Sequence, residues 1–441
     1  MANNSTTIQL SVILCLGDQS SQQRSLSLLV AKLRATLDRL RVSGEIIVLM
    51  YPWQSSRLNS CEIEKSIEGE NWRVVTLPTL DGGFCYGAAI KQGLLEARGD
   101  YVVTIEANQA RESGFLEQAW SAKDTADIII GARYVPGGSS HLPLLRRTLS
   151  RSLNQGLGWL LTLPVRDLTS TFRLYSRAVV DTLRGSLQAD GYDILQEIIV
   201  RAHCNGWRIR EIPLQYYPRS MAQSNRTALK EAQAFLGSWK TIWRLRNNAS
   251  SCDYDARAFN SRIWPQRYWQ RRRFEIISNM MRDEGQWLDI ACGSSQLIRS
   301  KPAMIGLDIN LPKLRFLRST NNRLVNGTMF GLPFHDEAFD GVICSEVIEH
   351  VPKDQVLLSE MRRVLKPGGT LVLGTPDYSS ALWNAIERIY GVVMPASYAE
   401  EHISHYTRHE LEQLLPQFGF KIRSVEAIVN SEIIFDACKM K

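Results

Sequence analysis

Two carboxylates and a glycine are the first residues in this chain whose types and spacing could do chemistry. The segment LDIACGSS places Asp289 at the end of an apolar run and Gly293 in the following turn, where a small residue lets backbone approach a ligand. The run IGLDIN then ends in Asp308, a carboxylate placed to accept both hydroxyls of a ribose. This spacing fits a nucleoside-containing cofactor, and it also fits an ordinary strand-to-helix turn. Three histidines, His350 in SEVIEHV and His402 and His405 in EHISHYT, are candidates for a general base, because imidazole titrates near neutrality. Each fits a structural hydrogen bond equally well.

The later segments extend the pattern. GLPFHDEAFDGVICSEVIEHV, followed by LSEMRRVLKPGGTLVLGTP, resembles the class I S-adenosylmethionine-dependent methyltransferases in wording and order. The resemblance implies a Rossmann-like domain with S-adenosylmethionine as cofactor. Asp289, Ala291 and Gly293 would line its methionine side, Asp308 would hold the ribose, and Ser345 and Glu346 would border the active cleft. The three small positions of the family pattern read Ala291, Gly293 and Ser295 here, all compatible with binding. The acid that the family often carries near adenine is Thr328, which implies weaker adenine affinity or contact through backbone. Methyl transfer from a sulfonium needs an in-line nucleophile and positioning. His350, His402 or His405 would serve as base for a hydroxyl acceptor. EHISHYTRHELEQLLPQFGF resembles the late helix of small-molecule O-methyltransferases, including quinone-pathway enzymes. In some of those a Glu-x-x-Glu-His arrangement binds a divalent ion, which would place Glu346, Glu349 and His350 around it; the alternative is a capped helix with surface carboxylates.

In the first half, YGAAIKQGLLEARGDYVVTIEAN, GARYVPGG, RDLTSTFRLYSRAVVDTL and GYDILQEIIVRAHCNGWRIREIPLQYYPRS resemble the polyprenyl-phosphate sugar synthases of glycosyltransferase family 2, such as dolichyl-phosphate mannose synthase. The resemblance implies a GT-A nucleotide-diphospho-sugar transferase-like fold. It matches Asp167, Thr169, Ser170, Phe172 and Arg173 to the acceptor-phosphate segment, with Asp167 as a catalytic candidate and Arg173, Glu197 and Arg219 as substrate-binding candidates. Sugar transfer from a nucleotide needs a divalent ion, magnesium or manganese, usually held by an Asp-x-Asp pair. Here Glu106 and Asn108 stand in those places, and both side chains offer ligand oxygens. The donor side departs further: Met50-Tyr51-Pro52-Trp53 replaces an Asp-Asp-Gly-Ser run, and Cys15-Leu16-Gly17-Asp18-Gln19 replaces a Pro-x-Tyr-Asn-Glu loop.

Both constellations need α/β scaffolds, and the chain supplies two. Apolar runs at IQLSVILCL, GEIIVLM, WRVVTL, YVVTIEA and ADIIIGARY alternate with helical stretches, the pattern of a parallel sheet. A second series runs through QWLDIACG, MIGLDIN, RLVNGTM, FDGVICSEV and GTLVLGTP to KIRSVEAIV and SEIIFDACK. The expected division is a glycosyltransferase-like domain over residues 1–246, a polar linker at 247–252, and a methyltransferase domain over 253–441. Hydrophobic content of 44% and charged content of 22% suit two packed cores rather than disorder. No apolar run reaches the length of a membrane span, and MANNSTTIQLSVILCLGDQ lacks the basic leader of a secretory signal. A cytoplasmic chain is expected, with peripheral contact at the inner face of the membrane through Arg146, Arg147, Arg151 and neighbouring apolar residues. The 8 cysteines form no Cys-x-x-Cys pair, so they read as buried thiols.

The preferred reading is a two-domain enzyme of glycan, glycolipid or envelope-polysaccharide assembly. Its second domain would O-methylate a sugar or lipid-linked acceptor such as a polyprenyl phosphate, with a nucleotide sugar as further ligand. The alternative leaves methyl transfer alone, the first domain being an inactive acceptor-binding module. Nucleic acid is not expected as a partner: WPQRYWQRRRF reads as a helix with Trp264, Tyr268 and Trp269 packed inward and its arginines outward.

Overall fold

The computed structural model describes residues 7–16, 23–52, 72–78, 85–106, 113–217, 237–282, 284–353, 356–393 and 402–441. The chain divides into two compact units, Met1–His203 with Trp207–Arg246, and Cys204–Gly206 with Asn247–Lys441. The stretch expected as a linker, 247–252, falls in the second unit and buries Ala249 and Cys252.

In the first unit, strands β1 (Leu10–Cys15), β2 (Gly44–Met50), β3 (Trp72–Thr76), β4 (Tyr101–Glu106) and β5 (Ile128–Ala132) form where aliphatic and β-branched residues run together. All six residues of β1 are buried, as in a parallel strand covered on both faces. Two short strands, β6 (Ser139–Ser140) and β9 (Gln215–Tyr216), pair separately. With β7 (Arg173–Ser176) and β8 (Ile209–Pro213), the main sheet has the order β3-β2-β1-β4-β7-β5-β8. The expected parallel series is interrupted, because β7 lies antiparallel between β4 and β5. Its four residues are too few to show a period, so the sequence carries no strand signal there.

In the second unit, β10 (Trp287–Ile290), β11 (Ile305–Asp308), β12 (Leu324–Asn326), β13 (Phe339–Ser345) and β14 (Leu365–Pro376) are parallel neighbours. The hairpin β15 (Phe420–Ile428) and β16 (Glu432–Lys439) closes the sheet antiparallel to β14, giving β12-β11-β10-β13-β14-β16-β15. This is a Rossmann-like arrangement in which the C-terminal ends of β10, β11 and β13 open on one edge. Trp287 lies opposite Gly341 in that register, and its ring fills the space where a side chain would stand.

The helix Trp264–Met280 differs from expectation. Trp264 is 64% and Tyr268 is 44% exposed, stacked on each other at 5.6 Å, while Arg273 turns inward with its side chain 16% exposed. Positions 269, 273, 276 and 277 make the inward face, four and three residues apart. Trp264 and Tyr268 fall off that face, and the inward arginine is accepted because buried carboxylates meet it. Among the described residues no helix is long and apolar enough to cross a membrane.

Substituting Gly341→Ala would place a Cβ 2.3 Å from the Trp287 ring. We expect a loss of about 1–3 kcal/mol, the usual cost of overpacking, measured as a lowered urea midpoint of the full chain. A stability equal to wild type would contradict the packing described.

Candidate functional site

The exposed edge of the second sheet collects the expected carboxylates. β10 carries Asp289 near its end, β11 ends in Asp308, and β13 leads into Ser345 and Glu346. Ala291 and Glu346 both adopt left-handed backbone, φ 52° and 58°, just beyond adjacent strand ends. Non-glycine residues held so are strained, and such strain concentrates at functional positions.

Gly293 also has positive φ, 56°, and its N–H donates to Asp308 Oδ2 at 2.7 Å. Asp308 Oδ1 accepts from the Asn310 N–H at 2.7 Å. Each carboxylate oxygen therefore retains a lone pair for a further donor, which fits a ribose. A Cβ at position 293 would lie 2.5 Å from Asp255 Oδ2, so the turn admits only glycine. Asp255 accepts from the Ser294 N–H and hydroxyl at 2.8 and 2.9 Å and from Lys313 Nζ at 3.2 Å. Against the cost of burial, Lys313 and Ser294 hold its carboxyl below the ordinary value. Burial, with Asp308 nearby, pushes the Asp289 carboxyl up to about 8. Thr328 is exposed, and its hydroxyl accepts from the Phe330 N–H at 3.3 Å.

Beside this turn lies a charged cluster. Arg273 donates to both oxygens of the buried Glu432 at 2.5 and 2.6 Å and reaches Glu346 Oε2 at 3.0 Å. The Trp269 indole also donates to Glu432. Glu349 is fully buried, and Thr375 donates to its Oε2 at 3.0 Å. Burial pushes its carboxyl up to about 7, against the pull of Thr375 and Arg273. Among the described residues, Ser345 Oγ, Glu346 Oε1 and Glu349 Oε1 have no hydrogen-bond partner despite being buried. Three orphaned oxygens on one rim are what a polar ligand would satisfy.

The histidines gather there too. His402 Nδ1 lies 2.8 Å from Glu387 Oε1 and 2.7 Å from the Tyr378 hydroxyl, which is 3.0 Å from the same Glu387 oxygen. Burial and Glu387 raise the Tyr378 phenol, so it stays protonated and donates. A proton on His402 Nδ1 directed at Glu387 Oε1 would leave the lone pair on Nε2. His350 packs 4.8 Å from the His402 ring, and His405 stacks on Tyr378 at 4.1 Å. Glu349, His350 and His402 each bring one ligand atom within 4.8 Å of the others. The carboxylate expected with Glu349 and His350 was Glu346, but Arg273 engages it, and His402 takes its place.

A methyltransferase domain family model matches residues 288–373. The demethylmenaquinone methyltransferase of Staphylococcus haemolyticus is 32% identical over 31% of this chain and 70% of its own length. The undecaprenyl-phosphate mannosyltransferase of Micrococcus luteus is 30% identical over 36% of this chain and 67% of its own length. The chain joins a family 2 glycosyltransferase domain to a class I S-adenosylmethionine-dependent methyltransferase domain. The polyprenol monophosphomannose synthase of Mycolicibacterium smegmatis is also 30% identical, over 37% of this chain, which spans 63% of that relative's length. A solved methyltransferase from Thermotoga maritima, 20% identical, covers 40% of this chain and 93% of its own with a TM-score of 0.33.

In the glycosyltransferase domain the expected acceptor residues prove to be bound up in structure. Asp167 is fully buried and grips Arg133 at 2.7 Å through each oxygen, with the Arg133 N–H adding 2.9 Å. A carboxylate so committed positions its turn, where a catalytic role had been expected. Arg173 is fully buried, and its guanidinium donates to the carbonyls of Ser170, Leu195 and Leu168 at 2.9, 2.7 and 2.9 Å. It ties the 168–170 turn to the helix Ile194–Cys204 and is buried away from any anion, where substrate binding had been expected. Glu197 accepts from the Gln188 and Ala189 N–H groups and from Arg201, so it clamps a turn instead. Glu106 is buried at the end of β4; Asn108 and Arg219 lie outside the described residues.

As site residues, Glu432, Asp255, Tyr378 and Glu387 carry no signal in the sequence; Arg133 stands in the motif GARYVPGG, and Arg273 in WPQRYWQRRRF, whose arginines were expected to face outward. Removing Arg273 as Arg273→Ala would leave Glu432 buried without its cation. We expect a loss of about 3–5 kcal/mol in chemical unfolding, with Arg273→Ala/Glu432→Ala losing less than Arg273→Ala. A single variant as stable as wild type would refute the pairing.

Proposed function

We propose that the second domain transfers a methyl group from S-adenosylmethionine to a hydroxyl of a sugar or lipid-linked acceptor, in the assembly of a glycan or glycolipid. The observation that carries this reading is the His402–Glu387 pair at 2.8 Å, on the same domain as the Gly293–Asp308 turn. Asp308 would take the ribose hydroxyls, Asp289, Ala291 and Gly293 the methionine side, and backbone near Thr328 the adenine. When bound, S-adenosylmethionine supplies an activated methyl group on a sulfonium that needs no acid to leave. The protein's part is to orient the acceptor, exclude water and take one proton. His402 Nε2 would take that proton, and Glu387 would stabilise the resulting imidazolium. Ser345, Glu346 and Glu349 would hold neighbouring acceptor hydroxyls, and His350 and His405 would line the approach. A divalent ion on Glu349, His350 and His402 would occupy the base, so a chelator leaves transfer unchanged under this reading.

The first domain is proposed to hold a polyprenyl-phosphate or related glycolipid acceptor, the class that its mannosyltransferase relatives name. Two of its matched carboxylates, Asp167 and Glu197, are spent on structural contacts, which favours a second reading in which it binds an acceptor without transferring sugar. Hydrolysis or transfer from a nucleotide sugar with manganese, through Glu106 and Asn108, would exclude that second reading.

Calorimetric titration with S-adenosylhomocysteine tests the cofactor site. We expect Asp308→Ala to weaken binding at least about a hundredfold, the loss of a charge-assisted pair of hydrogen bonds. Asp289, protonated below about 8, should lose its proton when an ammonium binds beside it. Affinity should therefore rise with pH towards about 8, with proton release below that value. Equal affinity of Asp308→Ala and wild type would sink the assignment. For the base, His402→Ala should lower kcat by about 10²–10⁴ with little change in cofactor affinity, and Glu387→Gln by less. An unchanged kcat in His402→Ala would move the proton elsewhere.

A further inference from the structure

In the methyltransferase domain the carboxylates Glu346, Glu349 and Glu432 share the guanidinium of Arg273, and Glu432 takes two of its donors. Glu346 keeps one contact with Arg273, through Oε2 at 3.0 Å. Glu349, fully buried, is met by the neutral Thr375 hydroxyl at 3.0 Å. Burial raises both the Glu346 and the Glu349 carboxyl; Arg273 draws each back, and Glu432 pushes each further up. A cation completes a carboxylate in that position, because a neutral donor satisfies its lone pair and leaves its charge unanswered.

The open capacity lies on one atom of each. Glu346 Oε1 and Glu349 Oε1 are buried without a hydrogen-bond partner, while the other oxygen of each is spent. Both residues stand on fixed backbone. The Glu346 N–H donates to the Gly374 carbonyl at 2.9 Å, and the Glu349 carbonyl accepts from the Ile403 and Ser404 N–H groups at 2.9 Å each. The second pair of contacts holds the segment that carries His402 against Glu349, whose carboxylate comes within 4.8 Å of a ring nitrogen of His402. The rings of His402, Tyr378 and Trp383 lie mutually 6.3 to 6.4 Å apart. Aromatic faces attract an organic cation and pack against the carbon skeleton that carries it. A metal ion there would take the His402 lone pair as a ligand; an organic ammonium needs only the two carboxylate oxygens and leaves His402 Nε2 to receive a proton.

We propose that the acceptor carries a protonated amine next to the hydroxyl that is methylated, as an amino sugar does, and that Glu346 Oε1 and Glu349 Oε1 hold this ammonium. The inference rests on the reading of this cleft as the acceptor site, and it replaces one of the acceptor hydroxyls assigned to these carboxylates by a charged group. An ammonium so held has no lone pair. The neighbouring hydroxyl is therefore the nucleophile, and its proton goes to His402 Nε2.

The test is calorimetric titration of the full chain, saturated with S-adenosylhomocysteine and in EDTA, with methyl α-D-glucosaminide and with methyl α-D-glucoside, which has a hydroxyl in place of the amine. The glucosaminide should bind at least about tenfold tighter, the effect of one charge-assisted contact. Its N-acetyl derivative, which keeps the nitrogen and loses the charge, should bind no better than the glucoside and gives a readout independent of any variant. Glu349→Gln should remove the preference, while titration of the same variant with S-adenosylhomocysteine reports that the domain is folded. Equal affinity of the wild type for the two glycosides, or no binding of the glucosaminide, overturns the proposal. So does a preference that appears only when a divalent ion replaces EDTA, which would assign the carboxylates to a metal. Methyl transfer is read separately: failure to methylate a hydroxyl counts against O-methylation and leaves the binding preference standing, whereas an N-methyl product overturns the held ammonium.

Discussion

The Arg273 guanidinium, held between Glu432 and Glu346, is the constraint on which the methyltransferase cleft depends. Glu432 is fully buried at the start of β16, and Glu346 sits in strained backbone just past β13. An arginine from the helix Trp264–Met280 joins these two points, so one cation fixes the spacing of a helix and two strands. In a low-dielectric setting that pairing is close to obligatory, since either partner alone would be a buried, uncompensated charge. Trp269 shares the load by donating to Glu432. With the frame held by these contacts, Ser345, Glu346 and Glu349 each leave a buried oxygen unsatisfied, a cost that a polar ligand there would recover.

The two domains use the same device to different ends. Asp167 with Arg133, and Glu197 with Arg201, are also buried carboxylates neutralised by arginine. There the remaining oxygen capacity goes to backbone N–H groups of nearby turns, so the pairs stiffen an acceptor segment without exposing a reactive group. In the methyltransferase domain Glu349 keeps one oxygen unsatisfied and lies within ligand reach of His350 and His402. This difference in hydrogen-bond accounting, rather than a difference in residue types, separates a scaffold from a candidate reaction site.

Dependence on neighbours also shapes the turn at Gly293. Gly293 must be glycine for two reasons that coincide, its positive φ and the Asp255 carboxylate packed where a Cβ would stand. Asp255 comes from a helix well before β10 in the chain, so the turn is closed by a residue remote in sequence.

The sequence by itself determined the two α/β series, because runs of aliphatic residues separated by turn residues are a local signal, but not β7 or the order of strands within each sheet. Spacing alone left Asp289, Gly293 and Asp308 between a cofactor turn and an ordinary strand-to-helix turn, and the resemblance to class I methyltransferases is what grouped them. Only the tertiary structure decided that Arg173 braces carbonyls, that Asp167 clasps Arg133, and that Arg273 points inward while Trp264 faces solvent. It alone brought Glu387 and Tyr378 to His402, across an intervening stretch of chain. The reason is physical: a side chain's type states what it can bond, but burial and partners from distant segments decide which of those bonds are already spent.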